Sequence, residues 1–106
     1  FAACSALITP YRAPYANHVF HQYTLLLEGK SRDQLVSYLN ERKIPSMIYY
    51  PVPGHRQKMF GLSGNTLPDL PVTDWLTERV VSLPIHTELD PEQLAAISSA
   101  VLEFIG

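Results

Sequence analysis

Nine prolines interrupt this 106-residue chain, and they limit how long any helix or strand within it can be. Proline removes a backbone hydrogen-bond donor and biases the residue before it away from the helical conformation. Pro10 and Pro14 therefore predict an extended lead-in over residues 1–17, and Pro45 predicts the end of the first helix.

Between the prolines, the spacing of apolar residues predicts three strands that alternate with three helices. β-Branched and aromatic residues dominate 18–27, which favours a strand there. Ser31 with Gln34 is typical of a capping box, and Asp90 before Pro91 is typical of a helix start. Strands this few and short predict an α+β fold, a sheet with about three helices packed on it. The predicted strands are 18–27, 46–50 and 81–84, the predicted helices are about 32–42, 71–80 and from 91 onward, and 61–70 is predicted to be a polar loop.

Composition and charge limit which classes of binding partner and which cellular compartment are expected for this chain. With 46% hydrophobic residues the chain can build a core, so disorder is not expected. The net charge of -2, with only 8 Lys and Arg residues, argues against binding nucleic acid, which needs a basic face. No apolar run is long enough to cross a bilayer, and residues 1–10 lack the features of a signal peptide. We therefore expect a cytoplasmic chain, and its apolar start without Met favours a piece of a longer polypeptide.

Histidine and cysteine give little support for a metal site or for nucleophilic chemistry. Cys4 is the only cysteine, which excludes an intramolecular disulfide and a thiolate zinc site. His18 and His21 form an H-x-x-H pattern, but residues three apart on a strand face opposite sides and cannot bind one ion together. His86 and Glu88 could pair as a base and its orienting partner, yet without a nucleophile nearby a loop-packing role is favoured.

Polar side chains cluster after the second predicted strand. Tyr49 and Tyr50 end that strand and face opposite ways, so that one can pack while the other lines a pocket, or both can simply lie in a half-buried sheet. His55, Arg56 and Gln57 follow a Pro/Gly bend and could meet a carboxylate, a hydroxyl or a phosphate, or could be solvated. There is no G-x-S-x-G, no phosphate-binding glycine loop and no metal-ligand cluster in the sequence. These residues alone indicate an α+β domain with a polar edge.

That interpretation leaves functions of different classes open. The chain could be a free-standing module that binds a small metabolite or regulates another activity. It could also be a protein-interaction domain that uses the apolar segment 1–17, although this ranks last. A domain of a larger enzyme is the leading hypothesis, and it depends on a family resemblance.

Several blocks of the sequence occur in an order and at a spacing that are together specific. The most specific combination is Y-P-V-P-G-H-R-Q at 50–57 followed by R-V-V-S-L-P-I-H at 79–86. From about residue 10 onward, the chain resembles the C-terminal part of DegT/DnrJ/StrS-type aminotransferases, pyridoxal-phosphate (PLP) enzymes that act on nucleotide-linked keto-sugars. The blocks that carry the resemblance are 18–23, 32–35 with 39 and 43–45, 50–57, 67–68, 70–73, and 79–89 with 92–93.

The resemblance implies a small C-terminal domain at 18–106, with a mainly antiparallel sheet of three to four strands, preceded by a missing large domain to which 1–17 leads. In such enzymes the large domain holds PLP on a lysine. The resemblance therefore implies no cofactor and no catalytic residue on this chain, and no transamination by the chain alone. It also implies a homodimer in the full-length enzyme and glutamate as the amino donor.

For the substrate site, the resemblance implies that Tyr49 is the first contact, because relatives often have a histidine there that faces the sugar. Tyr50 and His55 come next, and Arg56 and Gln57 are expected to support the loop or approach the diphosphate. A neutral tyrosine offers only a hydroxyl, which weakens the expectation of an ionic contact with an acidic sugar.

Overall fold

The computed structural model describes residues 1–61 and 67–106, so the middle of the predicted 61–70 loop lies outside the described residues. Within these ranges the chain forms a three-stranded sheet and four α-helices, with a 3-10 turn at Gly54–Arg56. This confirms the expected α+β class. The strands are β1 (Leu7–Ile8), β2 (Tyr23–Leu27) and β3 (Val80–Leu83), and the helices are α1 (Arg32–Glu41), α2 (Lys58–Gly61), α3 (Pro71–Thr77) and α4 (Pro91–Ile105).

The sheet is antiparallel throughout, in the order β1-β2-β3. Leu7 pairs with Leu27, and Leu25 pairs with Val81, which sets the register. Because side chains alternate along a strand, these apolar residues share one face of the sheet. That face forms the core together with α1 and α4. The buried core residues are Leu7, Leu25, Leu27, Leu35, Leu39, Val81, Leu83, Ile97, Ala100, Val101 and Ile105.

Local capping signals place both core helices where the sequence predicts them. At α1 the Ser31 hydroxyl accepts a hydrogen bond from the Gln34 amide at 3.3 Å. At α4 the Asp90 carboxylate accepts from the Gln93 amide at 2.7 Å, and the Gln93 side chain accepts from the Asp90 amide at 3.1 Å. Each bond satisfies an amide that would otherwise lack a partner at the helix start.

Two of the predicted strands are shorter than expected. The first begins at Tyr23 rather than residue 18, because Phe20 has a left-handed backbone (φ 44°) that extended pairing does not tolerate. His18 and His21 therefore do not lie on a strand, and the argument that placed them on opposite faces of one was wrong. The predicted strand 46–50 is reduced to a single bridge between Met47 and Ser82, since Pro45 and Pro51 flank it closely.

The first 17 residues contain turns and little regular structure, and they also contribute β1. Leu7 is buried in the core, and the Ala6 carbonyl accepts a hydrogen bond from the Glu28 amide at 2.9 Å. This segment therefore packs on the sheet. The domain boundary at residue 17 stays a prediction.

Candidate functional site

The second face of the sheet, opposite the core, borders a cavity of about 490 Å³. The cavity is enclosed by strands β2 and β3, helix α3, and the stretch of chain from Met47 to Gln57. We call residues 48–57 the crossing segment, because they run from the β3 edge to α3. Helix α3 lines this cavity, at the face of the sheet that α1 and α4 leave uncovered. The lining residues include Gln22, Thr24, Tyr49, Tyr50, Gln57, Thr73, Leu76, Thr77, Val80 and Ser82.

Two hydroxyl groups on neighbouring strands form the floor of the cavity. Thr24 on β2 pairs with Ser82 on β3, and their hydroxyl oxygens are 2.8 Å apart. Ser82 is buried, so this mutual hydrogen bond meets the need of a polar group removed from water. The floor is therefore polar but internally satisfied.

The crossing segment offers the polar groups that a ligand could use. Tyr49 and Tyr50 line the cavity and are 51% and 76% exposed. Neither phenol makes a hydrogen bond to a described residue, and the same holds for the Gln57 side-chain amide. No described residue that lines the cavity is charged. The arrangement can hydrogen-bond neutral hydroxyl or carbonyl groups, because phenols and amides both donate and accept.

His55 and Arg56 turn away from the cavity toward α3. Arg56 donates two hydrogen bonds to Asp74, from Nε to Oδ1 at 2.7 Å and from Nη2 to Oδ2 at 2.5 Å. The His55 side chain is only 6% exposed, and its Nε2 lies 3.3 Å from Asp74 Oδ1. Neither ring nitrogen of His55 has a hydrogen bond of good geometry within the described structure. Five residues were predicted to contact the substrate. Tyr49, Tyr50 and Gln57 line the cavity, whereas His55 and Arg56 contact Asp74.

The Asp74 carboxylate should make the stability of this region depend on pH. The pKa of Asp74 lies below its usual value, chiefly because Arg56 donates hydrogen bonds to the charged form. The pair therefore contributes stability above the ordinary carboxyl pKa of about 4, and that contribution is lost as the pH falls through the lower pKa of the folded protein. Urea unfolding of wild type and Asp74→Asn from pH 7 to pH 3 checks this. The stability difference should be full at pH 7 and shrink below about pH 4, whereas a constant difference would contradict it.

The other predicted polar pairs have local roles. The His18 Nδ1 accepts from the Phe20 amide at 3.0 Å, and its ring stacks on Phe20. The His86 Nδ1 accepts from the Glu88 amide at 3.2 Å, which is a contact within one turn of the loop. Across residues 1–61 and 67–106, His, Cys, Asp and Glu form no group of three or more that could hold a metal ion.

The cavity does not fit PLP by itself. A lysine amine is the group that binds this cofactor covalently. The described lining includes none, and Lys30, Lys43 and Lys58 are all exposed elsewhere.

Sequence reasoning missed the sheet residues of the site and its ion pair. Thr24 and Ser82 are polar residues inside apolar strands, and that interruption was the signal available. Asp74 gave no signal, because its partner Arg56 lies 18 positions away in the 3-10 turn at Gly54–Arg56. Only the fold brings them together.

The model of the DegT/DnrJ/EryC1/StrS aminotransferase family matches residues 1–102. The chain belongs to this family. Two curated relatives are similar in sequence. UDP-N-acetyl-3-dehydro-α-D-glucosamine 3-aminotransferase of Acidithiobacillus ferrooxidans is 46% identical over 85 residues, which are 80% of this chain and 22% of that protein. dTDP-3-amino-3,4,6-trideoxy-α-D-glucose transaminase of Streptomyces venezuelae is 33% identical over 95 residues, 90% of this chain and 24% of that protein.

Solved structures share this fold, among them a DegT DnrJ EryC1 StrS aminotransferase from Brucella abortus, 30% identical with a TM-score of 0.82 over 95% of this chain and 26% of that chain. DesV of S. venezuelae, determined in complex with a ketimine intermediate, is 32% identical with a TM-score of 0.85 over 98% of this chain and 28% of that chain. The chain thus spans about a quarter of the length of the family members it matches. Within the described residues, no helix is both long and apolar enough to cross a membrane.

Proposed function

We propose that the chain is the C-terminal domain of a PLP-dependent aminotransferase that transfers an amino group, expected from glutamate, to a nucleotide-linked keto-sugar. The match of residues 1–102 to the family carries this proposal, because that range includes every described residue that lines the cavity. The 46% identity to an aminotransferase of a UDP-linked sugar supports the same substrate class. The complete enzyme is proposed to be a cytoplasmic homodimer.

In this proposal the chain supplies one side of the substrate site, and the rest of the enzyme holds PLP. Tyr49, Tyr50 and Gln57 would contact the sugar, because their polar groups lack partners within the described structure and border the cavity. An uncharged lining suits the hydroxyl and amide groups of a neutral sugar better than a carboxylate, which needs a charged or strongly donating partner once removed from water. His55 and Arg56 would support this surface through Asp74.

An amination assay on the full-length protein that contains this chain tests the proposal. The purified protein is expected to show the absorbance of bound PLP. Given glutamate and a UDP- or dTDP-linked keto-sugar, it should form 2-oxoglutarate and the amino-sugar in equal amounts, measured by mass spectrometry.

The contrary result is a full-length protein without PLP that aminates none of these sugars. Binding of a small metabolite by such a protein, followed by Trp75 fluorescence, would instead support a free-standing binding module.

A further inference from the structure

Polar contacts hold the crossing segment at Met47, which directly precedes it, and near its other end at His55 and Arg56. At one end Met47 exchanges two backbone hydrogen bonds with Ser82, at 2.9 and 2.8 Å. At the other end Arg56 and His55 contact Asp74. Ile48 to Val52 form no hydrogen bond with any described residue. The positions of Tyr49 and Tyr50 therefore depend on the two ends.

Asp74 is well placed to fix the second end. It lies in the first turn of α3, and its side chain is 24% exposed. Both of its oxygens accept from the Arg56 guanidinium, a two-bond geometry that fixes orientation as well as distance. His55 packs beside the same carboxylate as a buried ring. One carboxylate thus contacts two consecutive residues of the crossing segment.

Helix α3 can serve as a fixed support because it is tied to the core helix α1. The Arg32 guanidinium donates to the carbonyls of Thr77 and Val80, at 3.1 and 3.2 Å. Arg32 begins α1, whose Leu35 and Leu39 are buried in the core. Asp74 therefore connects the crossing segment to the most firmly packed part of the chain.

We propose that Asp74 is a positioning residue that, through Arg56 and His55, holds the crossing segment against α3 and so sets where Tyr49 and Tyr50 present their hydroxyls. It need not touch the substrate. The structural part of this inference stands apart from the proposed function, and only its kinetic consequence depends on that function.

Amide hydrogen exchange on the full-length protein tests the structural part. In Asp74→Asn, which keeps the shape of the side chain but loses the charge, the hydrogen-bonded amides of the crossing segment, Arg56 and Gln57, should exchange on the order of tenfold faster. Amides of α4 should be unchanged. Arg56→Lys keeps the charge but not the two-bond geometry, and it should give a smaller increase in the same peptides.

Glu78→Gln is the matched control. Glu78 ends the same helix and pairs with Arg79 at 3.1 Å, but its side chain is 73% exposed and it does not line the cavity. The charge change is the same, yet exchange in 48–57 should stay at the wild-type rate.

The kinetic part is measured on the same variants. Asp74→Asn should raise KM for the keto-sugar about tenfold, because a charged two-bond pair is lost, while kcat stays nearly unchanged. Asp74→Glu, which keeps the carboxylate, should raise KM by less.

Unchanged exchange in 48–57 would overturn the positioning role. Equal acceleration in α4 would overturn it too, because it would mean general destabilisation. A protein with faster exchange in 48–57 but no amination of any sugar would refute the proposed function and leave the positioning role supported.

Discussion

Leu25→Ala is expected to lower the free energy of unfolding by about 3 kcal/mol, within the range for large-to-small changes in a protein core. Leu25 is 0% exposed on the central strand and pairs with Val81. Removing its side chain takes apolar surface out of the core and leaves a cavity between the sheet and the helices, and the two costs add. Urea unfolding of the wild type and the variant measures the difference.

Leu26→Ala is the control for this prediction. It is the same chemical change at the next residue, whose side chain faces the other side of the sheet and is only half-buried. The expected loss is about 1 kcal/mol, in proportion to the smaller buried area. Equal losses at the two positions would contradict the assignment of the core to one face of the sheet.

The double variant Tyr49→Phe with Tyr50→Phe is expected to raise KM for the keto-sugar in the full-length enzyme about tenfold or more, at a few-fold per hydrogen bond lost. The aromatic rings remain, so the change removes only the two hydroxyls that border the cavity. The comparison is made by steady-state kinetics with glutamate held in excess.

The tyrosines of the first segment provide the matched control. Tyr11 and Tyr15 are 77% and 90% exposed and do not line the cavity. Tyr11→Phe with Tyr15→Phe should leave KM at the wild-type value. If the two double variants behave alike, the phenols of the crossing segment do not contact the sugar.

Signals within a few residues of each other were enough to predict the core helices. Ser31 and Asp90 each meet a partner three positions later, so the sequence alone identifies the start of α1 and of α4. The alternation of side chains along a strand likewise predicts that Leu25 and Leu27 share a face. Both predictions are confirmed because the interactions behind them are local.

Long-range pairing explains what the sequence did not reveal. Residues 18–22 have the composition of a strand, but Phe20 adopts a left-handed backbone and its ring packs on those of His18 and Tyr23. Residues 46–50 also have strand composition, yet only Met47 finds a partner. Whether such a stretch pairs depends on what the neighbouring chain offers, and composition does not carry that information.

The single bridge at Met47 also bears on self-association. Strand β3 is one of the two outer strands of the described sheet, and an open outer strand can recruit a strand from another molecule. Here both backbone groups of Ser82 are taken by Met47, and the Val80 carbonyl accepts from Arg32. Met47 and the Arg32 guanidinium thus occupy three of the backbone groups that an intermolecular ladder on this edge would use. The flanking prolines keep the covering segment from becoming a template itself.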